Sequence, residues 1–186
     1  MKKDITNHII MGTIITTAVV ILAFIIALII RYMKASKPTE ETLRRFADKT
    51  IPRGYRNNNP LNIRISSTKW LGKVSPNSDG AFEQFSEIKY GYRAAIKTLR
   101  TYYYTHGLRT LRQIINRWAP KEDGNNPTSY ANRVAQSAGI VADQPISFDM
   151  DTITKVVYGM AIVENGIAAP YLKMDDIIDG WKEAKI

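Results

Sequence analysis

The stretch DMDTITKVVYGMAIVENG (149–166) begins with two acidic residues able to cap a helix and ends in Asn165-Gly166, a helix stop. Between them Ile153, Val156, Val157, Met160 and Ala161 recur at three- and four-residue steps and form one apolar stripe. Glu164 follows Ile153 by eleven positions, which is roughly 20° around a helix turning about 100° per residue. A carboxylate therefore sits at the C-terminal end of the inward face. The helix dipole is negative there, and apolar neighbours oppose ionisation, so the position itself disfavours a full negative charge. A carboxylic acid that keeps its proton near neutral pH is what sugar cleavage requires of a general acid. Periodicity alone also allows a Glu at a frayed helix end, paired with a Lys or Arg.

Working outward, most of the chain has helical periodicity. Residues 32–50 read as a linker and a helix that starts at Pro38-Thr39-Glu40-Glu41. From Glu87, the residues Ile88, Tyr92, Ala95, Ile96, Leu99 and Tyr103 mark a helix stopped by His106-Gly107. Leu108, Leu111, Ile114, Ile115 and Trp118 mark the next, ended by Ala119-Pro120. Thr128 or Ser129 can cap a helix running to Ala138, and Asp149 or Asp151 the one ending at Glu164. A last short helix holds Ile177, Ile178 and Trp181. Between the first two segments, IPRGYRNNNPLNI (51–63) is rich in turn residues. NIRI (62–65), TKWLGKV (68–74) and AFEQF (81–85) then read as short strands, predicting a small antiparallel hairpin or three-stranded sheet. The expected architecture is mainly α with this one β element.

The N-terminal part is different. From Ile5 to Ile30 there is no Asp, Glu, Lys or Arg. About 20 apolar residues span a bilayer core, so residues 9–31 are expected to form a single transmembrane anchor after a tail at 1–8. The run is longer than a signal-peptide core and lacks a small-residue cleavage pattern. Of the 26 Lys and Arg, three (Lys2, Lys3, Arg31) precede residue 32; of the 17 Asp and Glu, one (Asp4) does. Residues 32–186 therefore carry +7, a surface that attracts polyanions such as nucleic acid, anionic lipid or an anionic cell wall. No basic helix or aromatic RNA motif accompanies the charge, so nucleic acid is not the expected partner. The charges flanking the anchor lean toward a cytoplasmic C-terminal domain.

Other chemistries are poorly served. There is no cysteine, hence no disulfide and no thiolate metal site. With only His8 and His106, a histidine-built zinc site is not expected, nor is any cofactor. A Ser-His-Asp triad would have to use His106, whose neighbours Thr105 and Gly107 give no nucleophile elbow.

RGYRNNNPLNIR (53–64), KWLGK (69–73), FEQFSEIKYGYRA (82–94), TLRQIINRWAP (110–120) and YANRV (130–134) together resemble a family of phage-encoded, often virion-associated proteins. That family carries an R-G-x-R-N-N-N-P-G-N-I-R signature, and the resemblance covers roughly residues 50–170. Leu61 stands where the pattern has Gly. A second likeness is to lysozyme-like glucosaminidases and lytic transglycosylases. Their order of Asn-rich motif, W-x-G and F-x-x-F is met by Asn57, Asn58, Asn59, Asn62, Trp70, Gly72, Phe82 and Phe85. Their A-x-x-E-S-G helix end is similar to Ala161–Gly166, and their Y-A-x-x-V to Tyr130–Val134. In those enzymes the acid-bearing helix precedes the Asn motif, so the likeness implies a lysozyme-like α+β domain over 51–186 in circularly permuted order.

This second likeness implies Glu164 as the catalytic acid. Asn57, Asn59, Asn62, Trp70 and Tyr130 would bind substrate, with Glu83 and Glu87 as alternative acids. The implied substrate is the glycan strand of peptidoglycan. The implied location is a virion membrane or the bacterial inner membrane, with the domain facing the periplasm and other virion proteins as further partners. A non-catalytic virion or wall-binding module on the same scaffold is the competing expectation, since fold does not dictate activity.

Overall fold

The computed structural model describes residues 2–166 and 170–186. The chain divides into two compact units, Met1–Ala35 and Ser36–Ile186. The first is helix α1 (Lys2–Ala35). Its segment Ile14–Ala35 has mean hydropathy 2.8 and is exposed except at Ala35. Among the described residues it is the one helix long and apolar enough to cross a membrane.

The second unit is built from α2 (Glu40–Ala47), α3 (Arg53–Arg56), α4 (Ile88–Tyr104), α5 (Leu111–Trp118), α6 (Pro127–Ala138), α7 (Met150–Asn165) and α8 (Met174–Ala184). Local chemistry sets the boundaries. The Thr39 hydroxyl accepts the Thr42 N–H to open α2, and a reciprocal Thr110–Gln113 capping box opens α5. The cap of α6 is Asn126, with Pro127 in the first turn, rather than Thr128 or Ser129. Asp149 accepts the Thr152 N–H at 2.8 Å and opens α7. Gly139 ends α6 at φ 67°, a conformation that Gly adopts without a Cβ clash.

The core is shared by α4 to α8. Tyr92, Ile96 and Leu99 of α4, Leu111, Ile114 and Ile115 of α5, Ile153, Val157 and Met160 of α7, and Ile177 of α8 are almost wholly buried. Helix α4 packs along α8, and α6 along α7. Gly180 lets α8 approach the Tyr92 side chain, because a Cβ there would stand 2.5 Å from that of Tyr92. Gly159 likewise faces Val134 and Ser137 of α6.

The expected β-hairpin or sheet is not there, and with it the lysozyme-like α+β arrangement and its circularly permuted order lose their structural basis. Among the described residues there are no strands. Only isolated bridges form, Arg64 with Phe82, Lys73 with Phe85 and Thr110 with Pro145. Backbone bonds such as Glu83 N–H to the Ile63 carbonyl and Ile65 N–H to the Ala81 carbonyl join the segments in isolated pairs, and side chains take other groups that a continuous ladder would pair. Asn59 Oδ1 accepts the Ile63 N–H, and its Nδ2 donates to the carbonyls of Ile63 and Glu83. The Ser66 N–H goes to the Glu83 carboxylate. Residues 57–86 thus form an irregular lobe pinned by amides and by one buried ion pair, Lys73 Nζ to Glu83 Oε1 at 2.8 Å.

That lobe meets α4 closely at Gly91. Asn58 adopts φ 51°, and its carbonyl lies where a side chain on Gly91 would have to be. A Cβ at Gly91 would collide with this backbone oxygen, which has no flexible way to yield. Gly91→Ala is therefore expected to destabilise the protein by about 3 kcal/mol. Gly80→Ala, strained by φ 83° but in open space, should cost about 1 kcal/mol. Urea unfolding of the two variants beside the parent checks the difference.

Candidate functional site

Glu164 lies one residue before the end of α7, and three side chains from three other segments donate to its carboxylate. Asn62 Nδ2 reaches Oε2 at 3.0 Å. Tyr130 OH reaches Oε1 at 2.8 Å, and Trp118 Nε1 reaches the same oxygen at 3.3 Å. Asn62 comes from the irregular lobe, Trp118 from the last turn of α5 and Tyr130 from α6. The donors offset the unfavourable place of a carboxylate at a helix C-terminus and on an apolar face.

The lobe delivers Asn62 with some backbone strain. Asn62 stands at φ 50°, one of three non-glycine residues with positive φ among those described, and its N–H is fixed by the Asn59 carbonyl at 2.9 Å. Asn tolerates this region better than other side-chain-bearing residues. Next to Glu164, Asn165 Nδ2 donates to the Pro60 carbonyl at 2.6 Å and to Ala161 O at 3.1 Å. The turn 60–62 is thereby tied to the end of α7 twice, once through each of two adjacent side chains.

Glu164 opens into a cleft of about 450 Å³. Its walls include Asn62, Arg64 and Phe82 from the lobe, Tyr102 from α4, and Arg117 and Trp118 from α5. Such a size fits a sugar-scale ligand. Asp123, on the short turn Lys121–Asp123, is the other carboxylate in the lining. Burial, followed by the nearby Glu164 charge, pushes the Tyr130 phenol well above its usual 10, so Tyr130 keeps its proton and acts as a donor.

The other candidate residues stand elsewhere. Asn57 and Asn59 are almost fully buried, and their amides are taken up inside the lobe: Asn57 donates to Asp79 at 2.7 Å and accepts from Gln84 at 3.1 Å. Trp70 is outside the cleft lining, and its Nε1 is buried without a partner among the described residues. Glu83 is 0% exposed and salt-bridged to Lys73. Glu87 is exposed and paired with Lys89 at 2.7 Å. Neither alternative acid lines the cleft. Trp118 falls on the inward stripe of its helix, which read as core. Its place as the last residue of α5, just before Ala119-Pro120, is what turns its indole N–H into the cleft. Among the described residues no group of His, Asp and Glu could hold a metal ion.

Protein P5 of Pseudoalteromonas phage PM2 is 39% identical over 133 residues, covering 70% of this chain and 80% of that protein. The chain belongs to the same family as this phage protein. No family model matches it.

The lobe that presents Asn62 is expected to lose stability in acid. The Arg53 guanidinium grips Asp79 with two bonds, 2.9 and 2.7 Å, while Asn57 and the N–H groups of Ala81 and Phe82 add more. These donors hold the Asp79 carboxyl far below its ordinary 3.8 despite burial, which acts in the opposite direction. A depressed folded-state value means the stabilisation is complete above 3.8 and is lost as pH falls toward the folded value. Asp79→Asn is expected to lower stability by about 2 kcal/mol at pH 7. Urea midpoints measured down to pH 2.5 should show the gap between parent and variant narrowing below about pH 4.

Proposed function

We propose that the protein is a membrane-anchored phage enzyme that cleaves the glycan strands of peptidoglycan, with Glu164 as its general acid. The observation that carries this reading is the convergence of Asn62, Trp118 and Tyr130 on one carboxylate at the edge of a sugar-sized cleft. Precise placement of a proton donor is the costly part of general acid catalysis, and three segments cooperate here to provide it. The likeness of Ala161–Gly166 and Tyr130–Val134 to motifs of glucosaminidases and lytic transglycosylases supports the same assignment.

In the proposed reaction, protonated Glu164 gives its proton to the glycosidic oxygen as the C1–O bond breaks. A group of the substrate itself, the 2-acetamido carbonyl or a ring hydroxyl, captures C1. Where the acetamido oxygen has captured C1, water attacks C1 and breaks that new C1–O bond; Glu164 takes the proton of the attacking water, or of the capturing hydroxyl, which restores the acid. Oε2 has a single donor, Asn62, and so has room for the proton. Oε1, with two donors, stays an acceptor. Asn62, Trp118 and Tyr130 hold the carboxyl group in place. Trp118 and Tyr102 offer aromatic faces along the cleft, while Arg64 and Arg117 suit the carboxylates of an anionic glycan.

The anchor would be Ile14–Ala35, in a virion membrane or in the bacterial inner membrane with the domain on the periplasmic side. A virion membrane removes the conflict with the flanking positive charges, because the orientation rule concerns insertion into a cell membrane. The second reading, a non-catalytic virion component that contacts other virion proteins, is the one favoured by the phage relative.

Digestion of purified peptidoglycan by the full chain, beside Glu164→Gln, separates the two, with products weighed by mass spectrometry. The enzyme reading predicts disaccharide fragments from the parent and a loss of roughly 1,000-fold in the variant. Product mass distinguishes hydrolysis from transglycosylation. Equal release by both places the acid elsewhere, and release by neither leaves the structural reading.

A further inference from the structure

The two arginines of the RGYRNNNP stretch play no part in the Glu164 cleft. They line a separate cavity of about 240 Å³ with Lys49, Ser78, Asp79 and Gln84, and no residue is shared between the two linings. Arg56 is only 8% exposed. Its guanidinium has five N–H donors, and within the described residues it makes one long hydrogen bond, Nη1 to the Ile51 carbonyl at 3.4 Å. A buried cation with unused donors is costly unless something pairs with it.

The acidic groups nearby do not serve. Asp79 is turned to Arg53, Asn57 and two backbone N–H groups. Asp48 is exposed and held by the Thr50 N–H and hydroxyl at 2.9 and 2.6 Å, so it acts on Arg56 by charge through solvent and takes none of its donors. Ser78 and Gln84 bond each other, the Ser78 N–H and hydroxyl both reaching Gln84 Oε1. Lys49 is exposed and has no ion pair among the described residues. The lining thus contains three cations, Lys49, Arg53 and Arg56, against one committed carboxylate.

We propose that this cavity binds a phosphate group. A phosphate dianion matches the surplus of two positive charges, and its oxygens can take the free donors of Arg56 while Lys49 closes from the exposed side. A phospholipid headgroup offers the same acceptor oxygens with one negative charge, so it would answer half of that surplus. Lys49 follows Ala35, the last residue of α1, by fourteen positions, eight of them helical in α2, a reach of at most about 35 Å. A headgroup of the membrane that holds α1 is therefore within range.

The test titrates inorganic phosphate into the full chain in uncharged maltoside micelles, at fixed ionic strength with chloride as comparator, by isothermal calorimetry. The expected result is saturable one-to-one binding, weakened about fivefold by Lys49→Met and abolished by Arg56→Met. Arg56→Met risks the fold, so Lys49→Met, at an exposed side chain, carries the decision. Heats no different from chloride, or an affinity that Lys49→Met leaves unchanged, overturn the proposal. Adding phosphatidylglycerol to the micelles separates the sources. A headgroup in the cavity lowers the apparent phosphate affinity, whereas a site for free phosphate keeps it.

Discussion

The side-chain amide of Asn59 is the constraint on which the rest of the structure depends. It is fully buried and meets the backbone at three places, Ile63 N–H, Ile63 O and Glu83 O, with bonds of 2.9 to 3.0 Å. Without it, the Ile63 N–H and the Glu83 carbonyl would lose this partner, at a cost of about 1–3 kcal/mol each, while the Ile63 carbonyl would keep the Glu83 N–H. The amide thus does for residues 57–86 what a strand ladder does in a sheet. It also fixes the turn 59–62, from which Asn62 points at Glu164. Asn57 and Asn58 extend the same device to Asp79, Gln84, Phe85 and Ser86.

The helices contribute the other half. Helix α7 carries Glu164 to the boundary between helical core and lobe, and the packing of α6 on α7 brings the Tyr130 hydroxyl to it. The end of α5 adds the Trp118 indole. Each donor is positioned by a segment with its own anchoring, so the carboxylate is held by the fold and not by one flexible neighbour. A general acid gains from such rigidity because the reacting oxygen must meet the proton within hydrogen-bond distance.

Much of this is visible in the residue pattern and some is not. The apolar spacing of 153–161 places Glu164 on the inward face of a helix, and the structure puts it there. The spacing of Ile88 to Leu99 gives α4, and Asn165-Gly166 gives the end of α7. The strands expected at 62–65, 68–74 and 81–85 are absent because alternation records which residues face inward, not what their backbones bond to. An extended loop tied by Asn amides shows the same alternation as a strand. Trp118 illustrates a related limit. Helical periodicity assigns it to the core, but only the three-dimensional end of α5 turns its N–H toward Glu164. The burial of Glu83 also escapes the pattern, since its partner Lys73 lies across the lobe.

The most direct test of the central claim, that the Glu164 cleft receives a glycan strand, is the indole N–H spectrum of the full chain carrying Glu164→Gln. A defined tetrasaccharide of alternating N-acetylglucosamine and N-acetylmuramic acid is titrated into the ¹⁵N-labelled protein. The three tryptophans report separately, since Trp118 lines the cleft while Trp70 and Trp181 do not. The account predicts a saturable shift of the Trp118 resonance with the other two nearly still. A Trp118 signal that does not move, or a shift confined to Trp70 or Trp181, would contradict it.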